Sequence, residues 1–91
     1  MNKDLSLPKN QHQQALWYLY NWDKWFSLMD VINDSMFYKF QTRLSDVERE
    51  LKKEIAERKK MKFVSKFGNK SEYNLYKAID KNYIKEIYDK F

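Results

Sequence analysis

Six basic side chains and no acidic one lie between Arg58 and Lys70, and this is the densest cluster in the chain that could bind another molecule. Clustered like charges raise the local electrostatic potential and attract polyanions such as nucleic acids. A solvated face that keeps the protein soluble, or an edge hairpin that lysine protects from aggregation, would explain some of them. The cluster consists of Arg58, Lys59, Lys60, Lys62, Lys66 and Lys70.

A second set of polar side chains, between Lys39 and Lys53, has the residue types that contact DNA. Glutamine and arginine pair with the edges of adenine and guanine, which makes Gln41 and Arg43 candidates for reading bases. Lys39 and Thr42 could bind phosphate beside a helix start, and the later basic residues could hold the phosphate backbone. The ordinary alternative is an amphipathic helix with a solvated polar face. The candidates here are Lys39, Gln41, Thr42, Arg43, Ser45, Asp46, Arg49, Lys52 and Lys53.

Catalytic chemistry has little support in this sequence. His12 is the only histidine, and there is no cysteine, so disulfides and thiolate metal sites are excluded. Glu48 and Glu50 are two residues apart, and side chains at that spacing on a helix do not face each other. We therefore expect no catalytic residues, no metal site, no cofactor and no enzymatic activity.

Length and composition indicate one folded domain. The chain has 91 residues, of which 43% are hydrophobic and 18% aromatic. The net charge of +5 is uneven, because residues 1–34 carry three lysines and four aspartates whereas residues 35–91 carry fifteen basic and nine acidic residues. No apolar run approaches the ~18 residues of a membrane span, and the N-terminus has no hydrophobic signal segment. Since cysteine is also absent, we expect a cytoplasmic protein without membrane contact.

The spacing of apolar residues predicts two helices near the N-terminus. The first covers Gln11–Asn21 with Asn10 as its N-cap. The second covers residues 27–34, about two turns, and starts with a capping-box pattern of Ser27 and Asp30. Residues 1–9, which contain the only proline and show no periodicity, are expected to form a flexible lead.

The strongest helical signal follows, because five apolar residues are separated by four, three, four and four positions. Thr42 is a possible N-cap of this third helix. Its end is open, since nothing between Glu50 and Lys60 breaks a helix, and it could stop near Lys53 or continue to about Arg58. The five apolar residues are Phe40, Leu44, Val47, Leu51 and Ile55.

From Met61 the pattern changes to alternation, which is typical of strands. Two alternating runs, 61–67 and 73–79, flank the polar residues 68–71, and Gly68 followed by Asn69 supplies the positive φ angles of a tight hairpin. We therefore predict a β-hairpin. Residues 80–91 then form an amphipathic helix capped by Asp80, whose apolar stripe either folds back on the core or pairs with a second copy in a homodimer.

Three segments of the sequence carry a resemblance to a known protein family. They read Ser-Leu-Met-Asp-Val-Ile from Ser27, Thr-Arg-Leu-Ser-Asp-Val-Glu-Arg-Glu-Leu from Thr42 and Lys-Phe-Gly-Asn-Lys-Ser-Glu-Tyr-Asn-Leu-Tyr from Lys66. Together they resemble the small winged helix-turn-helix DNA-binding proteins of bacteriophages and mobile elements, over about residues 11–79. The chain departs from that family where residues 35–40 and 52–55 contain no glycine at the turns around the third helix.

The resemblance implies an α+β fold, mainly α, with a winged helix-turn-helix domain over residues 10–79 and a C-terminal helix over 80–91. It also implies that the third helix reads double-stranded DNA while the hairpin, as the wing, contacts the flank. The expected role is regulation of transcription, replication or recombination, in the bacterial cytoplasm if the protein is phage-encoded. For this footprint Arg43 and the hairpin must project from the same side. The wing residues are Arg58, Lys59, Lys60, Lys62, Lys66, Asn69 and Lys70.

Two alternatives use the aromatic residues instead. The chain could be a protein-binding module on the same scaffold, such as a phage inhibitor of a host protein, since aromatics are enriched at protein interfaces. It could also bind single strands, because aromatic rings stack on unpaired bases. The first alternative relies on Phe37, Tyr38, Tyr83, Tyr88 and Phe91, and the second on Trp17, Tyr18, Trp22, Trp25, Tyr73 and Tyr76.

Overall fold

A computed structural model describes residues 5–91. Within them, four helices and a three-stranded antiparallel sheet give an α+β fold, and the sheet has the strand order β1-β3-β2. The elements in chain order are α1 Gln11–Asn21, β1 Phe26–Ser27, α2 Leu28–Ser35, α3 Phe40–Leu51, β2 Ala56–Val64, β3 Lys70–Ala78 and α4 Lys81–Tyr88.

Local capping sets the starts of α1, α2 and α4, as the sequence predicts. The Asn10 side chain accepts a hydrogen bond from the backbone N–H of Gln13 at 2.9 Å. At α2, Ser27 and Asp30 form a reciprocal capping box, and Asp80 caps α4. Each cap satisfies backbone N–H groups that have no partner inside the helix. Of the predicted lead, residues 1–4 lie outside the described residues, whereas Leu5 packs against the core.

The start of α3 differs from the prediction. The helix begins at Phe40 with Lys39 as N-cap, so Thr42 lies inside the first turn and the prediction that it caps the helix is wrong. The physical reason is burial: Phe40 is fully buried and contacts the Tyr76 ring at 5.3 Å. This contact with the sheet fixes where the helix begins.

The end of α3 agrees with the shorter of the two predicted ends. Lys52 ends the helix in the left-handed conformation, at φ 56°, and the backbone N–H of Lys53 donates to the Glu48 carbonyl. Ile55 is therefore not part of the helix. It is buried in the connection to β2, and its carbonyl accepts from the backbone N–H of Ile79, which extends the β2–β3 pairing.

The turn between α2 and α3 has no glycine because Met36 takes the left-handed position, at φ 59°. The turn brings Phe37 into the core, where it is 5% exposed and meets the Phe40 ring edge-on at 6.3 Å. The aromatic character of residues 35–40 thus serves packing.

Strands β2 and β3 confirm the predicted hairpin but are displaced from its predicted bounds. They pair over nine residues each, from Ala56 opposite Ala78 to Val64 opposite Lys70. The loop is residues 65–69 rather than 68–71, because Ser65 closes it: its side-chain hydroxyl accepts from the N–H of Asn69 and its carbonyl accepts from the N–H of Gly68. Gly68 adopts a positive φ of 82°.

The short strand β1 has no counterpart in the sequence prediction, which placed no strand before the hairpin. It pairs Phe26 with Tyr76 and Ser27 with Leu75, and so makes β3 the central strand. The rings of Phe26, Phe40 and Tyr76 meet at 5.3–6.2 Å in the core. The hairpin base is thereby joined to α3.

Helix α1 packs against α3 and α4. The apolar stripe of α4 folds back on the core, since Ile84, Ile87 and Tyr88 are at most 2% exposed. Tyr88 also donates to the carbonyl of Ser6 at 2.9 Å. Between residues 5 and 91, none of the helices combines the length and the apolar character that crossing a bilayer requires.

Candidate nucleic-acid interface

The β2–β3 hairpin carries the entire net charge of the protein. Between Ala56 and Ala78 there are seven basic and two acidic residues, whereas the rest of the sequence has eleven of each. The whole +5 therefore belongs to 23 residues of one projecting element. The molecule measures 45 × 26 × 20 Å, and a nine-residue strand is about 30 Å long. Such concentrated charge creates a local positive field that the net charge alone understates.

Side chains alternate between two faces of the hairpin. We call the face that packs toward α3 the inner face and the opposite one the outer face. From the pairing register, the inner face holds Ala56, Arg58, Lys60, Lys62, Val64, Lys70, Glu72, Asn74, Tyr76 and Ala78. The outer face holds Glu57, Lys59, Met61, Phe63, Ser71, Tyr73, Leu75 and Lys77.

Arg58 anchors the hairpin base. Its guanidinium donates to both carboxylate oxygens of Glu48 on α3, at 2.5 and 3.1 Å, and lies over the Tyr76 ring. These hydrogen bonds raise the pKa of Arg58 above its ordinary value. The Glu48 side chain is only 12% exposed and also accepts from the backbone N–H of Ile55 at 3.0 Å. Arg58 is thus held by an acid rather than left open to a phosphate.

The lysines nearer the tip of the hairpin are more exposed than Arg58 and are paired less closely with acids. Lys60 and Lys62 share one acid, Glu72, at 3.7 and 4.0 Å, and exposed pairs of this length contribute little energy. Lys66 and Lys70, with Asn69 between them, lie at the exposed loop and the start of β3. The remaining wing candidate, Lys59, is on the outer face. The structure therefore gathers six of the seven predicted wing residues on the exposed part of the hairpin.

Both arginines of α3 are paired with Asp46. The Asp46 carboxylate lies 3.2 Å from Arg43 and 3.4 Å from Arg49, and His12 of α1 is 3.5 Å away. Arg43 also donates to the side-chain oxygen of Gln11 at 2.8 Å. Asp46, predicted as a DNA contact, is thus the shared acidic partner of side chains from both α3 and α1.

Arg43 and the hairpin lie on different sides of α3. Gln41 donates to the Tyr76 hydroxyl at 2.7 Å and Glu48 binds Arg58, so this flank of α3 faces the hairpin. Arg43 contacts α1, and it is two residues, roughly 200°, around the helix from Gln41. The expectation that Arg43 and the hairpin share a side is therefore wrong, because residue spacing on the helix points them apart.

The other candidates on α3 remain on its surface. Lys39, Thr42 and Ser45 are exposed around its first turns, and Lys52 is exposed at its C-cap. Lys53 lies over the Tyr83 ring at 4.1 Å. An exposed patch of small hydroxyl side chains beside Lys39 remains able to approach a nucleic acid.

Several aromatics of the two sets predicted for base stacking and for a protein interface are buried and cannot contact a partner. Tyr18 and Tyr76 are buried, Trp17 and Trp22 pack against the core, and only Trp25 and Tyr73 of the proposed stacking set lie at the outer face. Of the set proposed for a protein interface, Phe37 and Tyr88 are buried, Tyr83 and Phe91 are half-buried, and Tyr38 is 62% exposed.

Sequence reasoning missed two exposed aromatics on the hairpin, Phe63 and Phe67, at 49% and 80% exposure. The alternating pattern placed both residues in the run 61–67, but it did not show which face of the hairpin packs against the rest of the protein. Phe67 lies in the loop beside Lys66, whose ammonium is 5.1 Å from the Phe67 ring. The signal that could have found them is their position within the basic run.

A groove of about 820 Å³ opens between α2 and the hairpin. Its walls combine apolar side chains with a few polar ones, as ligand and peptide grooves do. No metal-binding group of three or more histidine or acidic side chains occurs in residues 5–91. The groove is lined by Ser27, Leu28, Met29, Asp30, Ile32, Gln41, Lys60, Phe63, Glu72, Tyr73, Asn74 and Leu75.

Comparison with protein-family models, with curated proteins and with solved structures gives no match to this chain.

Proposed function

We propose that the protein binds double-stranded DNA as a winged helix, with the β2–β3 hairpin as its wing. The observation that carries this proposal is the concentration of the whole net charge on the hairpin. The element order and the strand order β1-β3-β2 are also those of a winged helix, in keeping with the resemblance to small proteins of bacteriophages and mobile elements. Regulation of transcription, replication or recombination is the role we propose.

Phosphate contacts from the hairpin supply most of the binding energy in this proposal. Lys62, Lys66 and Lys70 project from the exposed half of the hairpin, and each phosphate that they neutralise releases condensed counterions. Helix α3 contributes through Lys39 and the exposed Thr42 and Ser45 at its start, where the helix dipole favours phosphate. Arg43 lies outside this footprint, because it contacts α1 on the side of α3 away from the hairpin and is paired with Asp46.

Fluorescence anisotropy against a mixed-sequence duplex, titrated at several salt concentrations, tests the proposal. Replacing Lys62, Lys66 and Lys70 with alanine should reduce the slope of log K against log[salt] by about 2.7, which is about 0.9 for each phosphate contact. The matched control replaces three exposed lysines outside the hairpin, at positions 9, 24 and 90, and should keep the slope. Absence of binding at low salt, or equal losses in both triple variants, would contradict duplex binding.

A protein-binding role is the second candidate, and the groove between α2 and the hairpin favours it. Met29 lines the groove together with Phe63 and Tyr73, and these three are 60%, 49% and 42% exposed, so a partner entering the groove would meet grouped apolar side chains. Met29→Glu places a charge in the groove and should leave the duplex titration unchanged if DNA binds as proposed. Loss of duplex binding in this variant would instead mean that the groove is part of the DNA site.

A further inference from the structure

The outer face of the hairpin is an exposed aromatic surface bordered by lysines. Phe63 and Tyr73 are 49% and 42% exposed, and their rings meet at 5.9 Å. Next to the base of the hairpin, the ammonium groups of Lys59 and Lys77 lie 5.9 and 6.0 Å from the centre of the Trp25 ring. The inner face provides the packing against α3, so these aromatics are not required for the core.

The aromatics form two platforms along the hairpin. Lys59, which lies over Trp25, is four residues before Phe63 on β2, and this separates the platforms by about 13 Å. Trp25 directly precedes β1, and the first residue of that strand, Phe26, is buried on the inner side opposite Tyr76. Because neighbouring side chains in an extended chain point to opposite faces, Trp25 lies on the outer side. Each platform therefore offers a ring face or edge to a planar ligand, with cations at its border.

Unpaired nucleotides suit this surface better than duplex DNA or an apolar protein. Bases within a duplex are stacked on one another and cannot lie on a sheet, whereas splayed bases stack on exposed aromatic side chains. Charged side chains are depleted from the centre of protein interfaces, yet two lysine ammonium groups lie about 6 Å from the Trp25 ring. Glu57 is the one acidic residue assigned to this face by the pairing register.

We propose that the outer face binds single-stranded nucleic acid, with Trp25 and the Phe63–Tyr73 pair stacking on bases and Lys59 and Lys77 contacting the phosphates. This site goes beyond the proposed duplex binding, because it uses none of Lys62, Lys66 and Lys70 and no residue of α3. Phe63 and Tyr73 also line the groove between α2 and the hairpin. The two modes would be compatible at a position where a duplex opens into a single strand.

Anisotropy with a labelled oligothymidylate of about 12 nucleotides tests the site, since it cannot form a duplex with itself. Tyr73→Ala and Trp25→Ala should each weaken binding roughly 5- to 100-fold, as loss of one stacked base predicts. Trp25→Phe should restore most of the affinity and should also reduce the quenching of tryptophan fluorescence on binding. The control is Tyr38→Ala, because Tyr38 belongs to the turn between α2 and α3, outside the hairpin, and is 62% exposed.

The same variants are titrated with duplex DNA, where they should bind within about twofold of the wild type if the two modes are separate. Oligothymidylate binding that is unchanged in Tyr73→Ala and Trp25→Ala, or weakened equally in Tyr38→Ala, would overturn the site. Dimers at assay concentration that dissociate in Tyr73→Ala would also overturn it, in favour of a second copy. Loss of duplex binding in the triple lysine variant alone tests the other proposal and leaves this one intact.

Discussion

Replacing Glu48 with alanine should loosen the base of the hairpin from α3 and destabilise the whole domain. The Glu48 carboxylate receives three hydrogen bonds: two from the Arg58 guanidinium, at 2.5 and 3.1 Å, and one from the backbone N–H of Ile55, at 3.0 Å. At 12% exposure, its side chain has little water to replace these partners. The substitution therefore removes the acid while leaving a cation and a backbone donor behind.

The size of the effect follows from these contacts. Hydrogen bonds to charged groups contribute about 1.5–3 kcal/mol, and an unpaired buried donor costs about 1–3 kcal/mol. Because the Arg58 side chain is 31% exposed, water recovers part of its hydration, and we expect a net loss of roughly 2–3 kcal/mol. For a domain of this size, 1 kcal/mol corresponds to about 4–8 °C, so the Tm should fall by about 10–20 °C.

Thermal and urea unfolding, followed by circular dichroism, measure this loss. Glu48→Gln should lose less than Glu48→Ala, because the amide oxygen can still accept from Ile55 and Arg58. Glu50→Ala, an exposed residue of the same helix with the same charge change, should alter the Tm by only a few degrees. A Glu48→Ala variant as stable as Glu50→Ala, or no coupling with Arg58→Ala in a double-mutant cycle, would refute the reasoning.

Three further predictions concern the ion-pair cluster, the α2–α3 turn and the core. Asp46→Asn should change duplex affinity by less than about twofold at moderate salt, because its partner Arg43 contacts α1 and faces away from the hairpin, and a gain of about threefold or more in the anisotropy titration would show that this side of α3 contacts DNA. Met36→Gly should raise the unfolding free energy by about 0.5–1 kcal/mol, measured in urea, because glycine adopts the left-handed conformation without strain. Burial raises the pKa of Tyr18 to about 12. The folded state then holds this proton longer than the unfolded state, so stability should fall as the pH rises from about 10 to about 12, and Tyr18→Phe should lessen that fall in unfolding measured across this range.

Local chemistry made the starts of α1, α2 and α4 predictable from sequence. Asn10, Ser27 and Asp80 cap their helices through side chains that reach backbone groups two or three residues away, so no distant residue is needed. The end of α3 was not determined in this way. Ile55 continues the helical spacing, but Lys52 takes the left-handed conformation and ends the helix before it, and Ile55 is buried beside the sheet instead.

In the candidate interface too, contacts between residues close in the sequence were predictable, and contacts between distant residues were not. The Arg43–Asp46 and Asp46–Arg49 pairs are three residues apart on one helix, so the sequence contained a signal for them. The Arg58–Glu48 pair joins a strand to a helix, and strand β1 is too short to leave a periodic pattern. Neither could be found before the chain was folded.

The sequence by itself determined where the positive charge lies and that a hairpin carries it, because composition and alternation are properties of consecutive residues. Only the tertiary structure decided which hairpin face is covered by α3, which acid neutralises Arg58, and which aromatics remain exposed. These features depend on contacts between residues distant in the chain. A period-two pattern fixes which side chains share a face, but it does not fix which face is buried.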